Sequence, residues 1–311
     1  MSEPRPLVSV VMASYNYGAL LGEALETALA QTYQPVEIIV VDDGSTDDSR
    51  TVLERYPVRA IHQANAGQAV ALNVGVACAA GDILCLLDAD DGWAPNKVER
   101  VVDTFRQHRD AQWIRHELEI VDAGRRPTGQ VTPAIAASGP VAPDAAGIGE
   151  RVLTASTSAL SLRREAAAQV FPLAGGSRLR FDADALLLAR LGSRYPGWQL
   201  DETLGFYRRH EGQQYAKEED LKRMLERQIE VGTMIAAALG RSEPVSNHKH
   251  RAVLAGLTGG LRGPHVARGL LASLGLLGRP ALMARQTAGL LYAAAAPAWW
   301  LRSVRRRQGL P

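Results

Sequence analysis

The sequence predicts an α/β protein: a mostly parallel sheet flanked by helices, followed by a helical C-terminal extension. Strand-like and helix-like stretches alternate four times within the first 108 residues, an order that favours a parallel sheet with helices on both faces. The strand-like stretches are short and rich in β-branched apolar residues, as buried strands are. From Leu221 onward the pattern is helical, broken at Pro264, Pro280 and Pro297.

The elements follow in order. Pro6–Ser14 ("PLVSVVMAS") reads as a buried strand, and Leu21, Leu25 and Leu29, with Leu20, Ala24 and Ala28 beside them, form a helical stripe. Val36–Val41 is the second strand. An acidic turn follows it, with Ser45 or Thr46 as the expected helix N-cap and Asp47 and Asp48 suited to the positive first turn. Val58–His62 is the third strand, Gly67–Ala79 a helix and Ile83–Leu87 the fourth strand, before a helix from about Pro95. Residues 124–150 are rich in Gly, Pro and Ala and read as irregular. "TASTSALSLRRE" resumes strand character, and Asp182–Gly192 ("DADALLLARLG") reads as a helix ended by its glycine.

Composition sets bounds on function. A chain of 311 residues, 46% hydrophobic and 22% charged, suits one large folded domain with an appendage. The two cysteines, Cys78 and Cys85, sit in apolar surroundings and read as reduced core residues of a cytoplasmic protein. "MSEPRPLVSV" lacks the pattern of a signal peptide, and no run of about twenty apolar residues marks a membrane span. Charge is unevenly spread: after Glu243 come ten Lys and Arg and no acid, so the remaining 25 basic and 33 acidic residues leave residues 1–243 at −8.

The acidic turns carry the chemistry. "DDGS" (Asp42–Ser45) and "DADD" (Asp88–Asp91) both fall at the carboxyl ends of predicted parallel strands, where such sheets bind ligands, and they converge on one cleft. Asp88, Asp90 and Asp91 admit three readings: a solvated turn that caps the next helix, a site for a hard divalent cation, or catalytic acids and bases. A magnesium or manganese ion there would take substrate phosphates as its remaining donors. Neither G-x-x-x-x-G-K-[ST] nor G-x-G-x-x-G occurs to cradle phosphate instead.

From Val8 to about Arg106 the order and spacing of "ASYN", "DDGS", "NAGQAVALN" and "DADD" resemble the nucleotide-sugar domain of the family 2 inverting glycosyltransferases, which have the GT-A (Rossmann-like) fold. The resemblance implies that Ala13 and Tyr15 line the nucleoside pocket and that Asp43 accepts a hydrogen bond from a uracil-type base. Asp88 and Asp90 become the DxD pair on ribose and metal, with Asp91 beside the metal or sugar and Mg2+ or Mn2+ as the ion. Leu72 stands where the family often has a basic residue. In the second half, Asp184 precedes Arg190 by the six residues expected of the catalytic base; Ala183 replaces the usual preceding Glu, and Asp182 is the other candidate base. "YRRHEG" resembles a loop over the diphosphate, with His210 toward the metal and Arg208 or Arg209 toward the phosphates. A surface histidine is otherwise polar decoration. The Q-x-x-R-W signature of processive members is missing.

These implications divide the chain into a GT-A domain over 1–220, with a nucleotide-sugar half (1–106) and an acceptor half (107–220), and an extension over 221–311. The expected activity is non-processive transfer, with inversion, from a nucleoside-diphosphate sugar to a hydroxyl of a cell-envelope or polysaccharide acceptor, carbohydrate or lipid-linked. Two alternatives are a sugar-nucleotide nucleotidyltransferase, whose G-x-G-T-R loop is not found in "MASYNYG", and a nucleotide-sugar-binding protein without transfer chemistry. The tail "QTAGLLYAAAAPAWWLRSVRRR" places Tyr292, Trp299 and Trp300 before four arginines. It suits peripheral contact with the cytoplasmic face of the inner membrane rather than nucleic acid, a packed helix or dimer contact being the plainer reading.

Overall fold

The structure is a computed structural model that describes residues 5–143, 156–173 and 183–210, with isolated positions at 213, 233 and 235–237. The chain divides into two compact units, Met1–His210 and Glu211–Pro311, and every described strand lies in the first. The helical pattern expected from Leu221 onward is outside the described residues apart from those isolated positions, and the basic tail is wholly outside them.

Four parallel strands form the first half of a ten-stranded sheet, in the order β3 (Arg59–His62), β2 (Val36–Asp42), β1 (Val8–Ser14) and β4 (Ile83–Asp88). The apolar runs of β2, β1 and β4 are buried because both faces are covered, while β3, at the edge, is largely exposed. Val8, Val10 and Met12 pack with Leu21 and Leu25 of α1 (Gly18–Leu29) and with Val98, Val101 and Phe105 of α4 (Lys97–Gln107). Val11 meets α3 (Gln68–Cys78) on the other face. Gly75 lets α3 approach closely, since a Cβ there would lie 2.5 Å from Val11 Cγ1.

The second half is mixed. β9 (Leu160–Arg163) runs antiparallel between β4 and β6 (Trp113–Val121), and β10 (Gly197–Arg208) is parallel to β6. β5 (Gly92–Trp93) pairs with β10. α2 (Ser49–Leu53), α5 (Arg164–Val170) and α6 (Ala183–Arg194) complete the described α-helices of this unit, and a 3-10 turn spans Thr157–Ala159.

Four local expectations need correction. The region over 124–150 contains β7 (Pro127–Thr132) and β8 (Gly139–Val141), which pair with β6 and β10. β7 is almost wholly exposed, so it is held by backbone bonds and carries no apolar alternation to read. Leu29 is 37% exposed; the buried face of α1 is instead Leu21, Ala24, Leu25 and Ala28. Neither Ser45 nor Thr46 caps α2, which begins at Ser49 after Asp48: both are engaged by Asn16, and the Asp47 carboxylate takes the Ser49 and Gly18 amides. Gly192 is a buried residue inside α6, which runs on to Arg194.

Candidate active site

The parallel register brings three strand ends level: Ser14 lies opposite Asp42, and Ala13 opposite Asp88. Ala13 and Tyr15, at the end of β1, are partly exposed there. Asp43, just past β2, is buried, and three protein donors hold its carboxylate. Oδ1 accepts from Gln63 Nε2 at 2.7 Å and the Ala66 amide at 2.8 Å, and Oδ2 accepts from the Gly67 amide at 2.7 Å. Gly67 reaches that position with φ +95°, which an L side chain would resist. A carboxylate has about four acceptor positions, so these bonds leave Oδ2 able to accept one more N–H.

The turn after β4 gathers the other acids. Asp88 Oδ1 accepts from Gln68 Nε2 at 3.1 Å, while the Asp88 amide donates to Ser158 Oγ at 3.0 Å. Burial, then the charges of Asp90 and Asp184, push the Asp88 carboxyl up to about 8. Asp184, in the first turn of α6, is therefore electrostatically coupled to the strand tip; its Oδ1 accepts from the Ala185 amide at 2.8 Å. Burial and then Asp90 also push the Asp91 carboxyl well above its usual range. Asp90 Oδ2 lies 3.1 Å from His210 Nε2, and the His210 ring meets Tyr17 edge-on at 5.9 Å.

Asp91 and Arg208 are held by partners within the protein. Asp91 is 1% exposed and faces inward: Ser158 Oγ donates to its Oδ2 at 2.6 Å and the Arg208 amide to its Oδ1 at 3.0 Å. These bonds brace the turn from inside. Arg208 is similarly buried, at 3% exposure. Its Nε donates to the Asp90 carbonyl, Nη1 to the Ala123 carbonyl and Nη2 to Glu23 Oε2. Arg209 is exposed beside it. Asp182 lies outside the described residues, and Leu72 is buried in α3.

Several residues around the acids carry no sequence signal of their own. The Tyr17 phenol is pushed up by burial, then by Asp90 and Asp88; Tyr207 is pushed up by burial, then by Asp91 and Asp90. Tyr207 belongs to "YRRHEG", so its nearness could have been inferred from that motif. Ser158 bonds both ends of the acidic turn, and Trp93 Nε1 donates to its carbonyl at 2.9 Å. Nothing local in "TSA" marks that role.

Among the described residues no three His, Cys, Asp or Glu side chains converge as a metal cage. The Asp90–His210 pair nevertheless fits a hard divalent ion that draws its other donors from a bound diphosphate, as magnesium and manganese do.

Residues 9–166, from β1 to α5 and including both acidic turns, match the sequence pattern of the family described as Glycosyl transferase family 2. The chain belongs to glycosyl transferase family 2. This family 2 chain is 36% identical over 214 residues to an uncharacterised glycosyltransferase of Nostoc, the match covering 65% of each. It is 41% identical over 114 residues to the glycosyltransferase GlyG of Streptococcus pneumoniae, covering 35% of this chain and 38% of that one. The chain thus spans less than two thirds of either relative. Its fold is similar to S. aureus TarS in complex with UDP-GlcNAc, with a TM-score of 0.56 and 16% identity over 92% of this chain and 81% of that one. It also resembles the M. tuberculosis glucosyl-3-phosphoglycerate synthase solved with Mn2+, UDP and glucosyl-3-phosphoglycerate, with a TM-score of 0.51 and 17% identity over 76% and 81% of the two chains. These likenesses establish the GT-A fold for the family 2 chain.

Proposed function

We propose that the chain is a non-processive glycosyltransferase that moves a sugar, with inversion, from a uridine-diphosphate sugar to a hydroxyl of a carbohydrate or lipid-linked envelope acceptor. The observation that carries this reading is the meeting of Asp90, from the acidic turn of the first half, with His210 of the second half at 3.1 Å; the charge of Asp184 on the Asp88 carboxyl supports it. Asp43, with one acceptor position left on Oδ2, would take the imide N–H of the base. Ala13 and Tyr15 would line the nucleoside pocket, and Asp88 would face the ribose.

Asp90 and His210 would hold a Mg2+ or Mn2+ ion, which when bound neutralises the charge of the departing diphosphate. Arg209, exposed at the end of β10, is the side chain available to the phosphates. Asp184 would take the proton from the acceptor hydroxyl as its oxygen forms the new bond to the anomeric carbon. The bond to the diphosphate breaks on the opposite side. One such displacement inverts the anomeric centre and leaves no sugar on the protein.

The relatives support the reading at its coarser level, since TarS and the synthase are described with UDP-GlcNAc and with UDP and Mn2+. The basic, aromatic tail supports a peripheral contact with anionic membrane on the cytoplasmic side; no described helix is long and apolar enough to cross one. Cosedimentation with anionic vesicles at low salt tests that contact. The enzymatic proposal is tested by incubating the full chain with a panel of sugar nucleotides and acceptors, with Mn2+, Mg2+ or EDTA, and reading the product anomer by NMR. A β-linked product from an α-linked donor, lost in EDTA, is expected; a retained anomeric configuration would overturn the mechanism.

A further inference from the structure

We propose that Glu23, on the second turn of α1, is a positioning residue for the ion-holding pair, acting through Arg208. The proposal rests on the reading of Asp90 and His210 as that pair.

The guanidinium of Arg208 is almost wholly buried, and a buried cation is tolerated only with a counter-charge and satisfied donors. Glu23 supplies the charge from outside the acidic turn, through Oε2. With that charge in place, Arg208 spends Nε on the Asp90 main-chain carbonyl at 3.0 Å and Nη1 on the Ala123 carbonyl at 3.0 Å. Its own amide holds Asp91. His210 follows two residues later on the same stretch of chain. One side chain therefore fixes both the main chain that carries Asp90 and the strand end that delivers His210.

Without the Glu23 charge, the buried guanidinium would lose this counter-charge and would no longer be held with Nε on the Asp90 carbonyl. The main chain that carries Asp90 would then be free to shift relative to His210. Glu23 Oε1 also pairs with Arg125, but that partner is 52% exposed, and an exposed ion pair is weak. Arg125 thus serves as an internal control.

The test measures Mn2+ binding to the full chain in the presence of UDP, by the electron paramagnetic resonance of free Mn2+, with UDP binding in EDTA followed by calorimetry. Loss of an outer partner of a metal ligand weakens metal binding by about 10–100-fold. Glu23→Gln should therefore weaken Mn2+ binding by at least about tenfold while UDP binding in EDTA holds, and Glu23→Asp should recover part of the loss. Arg125→Ala should leave Mn2+ binding within about fivefold of the unaltered chain. A folded Glu23→Gln variant with undiminished Mn2+ affinity overturns the proposal. If Glu23→Gln does not fold, Glu23→Asp takes its place, and undiminished Mn2+ affinity in that variant overturns the proposal equally. Should Asp90→Asn bind Mn2+ as the unaltered chain does, the reading beneath the proposal fails, and the proposal with it.

Discussion

His210 Nε2 lies 3.1 Å from Asp90 Oδ2, although 120 residues separate them in the chain. β10 and β5 pair antiparallel at the sheet edge, which brings the end of one strand over the turn that precedes the other. The contact joins an imidazole from the second half of the domain to the second acid of the DxD pair.

Asp90→Asn should lower transfer by at least about 100-fold, the scale of removing a group that stabilises the departing charge. His210→Ala should raise the Mn2+ concentration needed for half-maximal rate by about tenfold or more. Metal titrations of initial rate check both.

Asp184→Asn keeps the shape of the side chain but removes the proposed base. Transfer should fall about 100- to 10,000-fold, while UDP-sugar affinity measured by calorimetry stays near its original value. Turnover that survives the substitution would remove Asp184 from the mechanism.

The raised Asp88 and Asp91 carboxyls give the metal-free chain a definite pH response. The folded state holds these protons more tightly than the unfolded state, so their contribution to stability is complete below the ordinary carboxylate value of 3.8. It is lost as pH rises through the Asp88 value of about 8. In EDTA the melting temperature should therefore be lower at about pH 9 than at about pH 6, and Asp88→Asn should flatten the difference. Calorimetric scans at the two pH values read this directly.

Gly75→Val tests the close approach of α3 to the sheet. The new Cβ would stand 2.5 Å from Val11 Cγ1, so helix or strand must shift. Overpacking of this kind costs about 1–3 kcal/mol, a drop of about 2–12 °C in melting temperature. Thermal unfolding followed by circular dichroism measures it.

The first half was legible because its signals are local. Val8–Ser14, Val36–Asp42 and Ile83–Asp88 are apolar runs with turn chemistry at their ends, and the strands formed where those runs lie. β7 was not legible, since an exposed strand held by its neighbour's backbone leaves no trace in side-chain pattern. The acids could be found but not aimed. Asp91 turns inward because Ser158 and the Arg208 amide wait for it from remote parts of the chain. Arg208 and Arg209 read alike in sequence as candidates for phosphate; only the structure shows that the first is buried against Glu23, 185 residues earlier, and the second exposed.

The antiparallel β9 lies between β4 and β6, so a segment from the middle of the chain seals the flank of the early strands. A fragment ending near residue 106 would present β4 with an open row of amides and carbonyls, inviting self-association. Chimaeras meant to exchange acceptor preference among relatives should accordingly keep residues 156–163 with the amino-terminal portion and graft only what lies on either side.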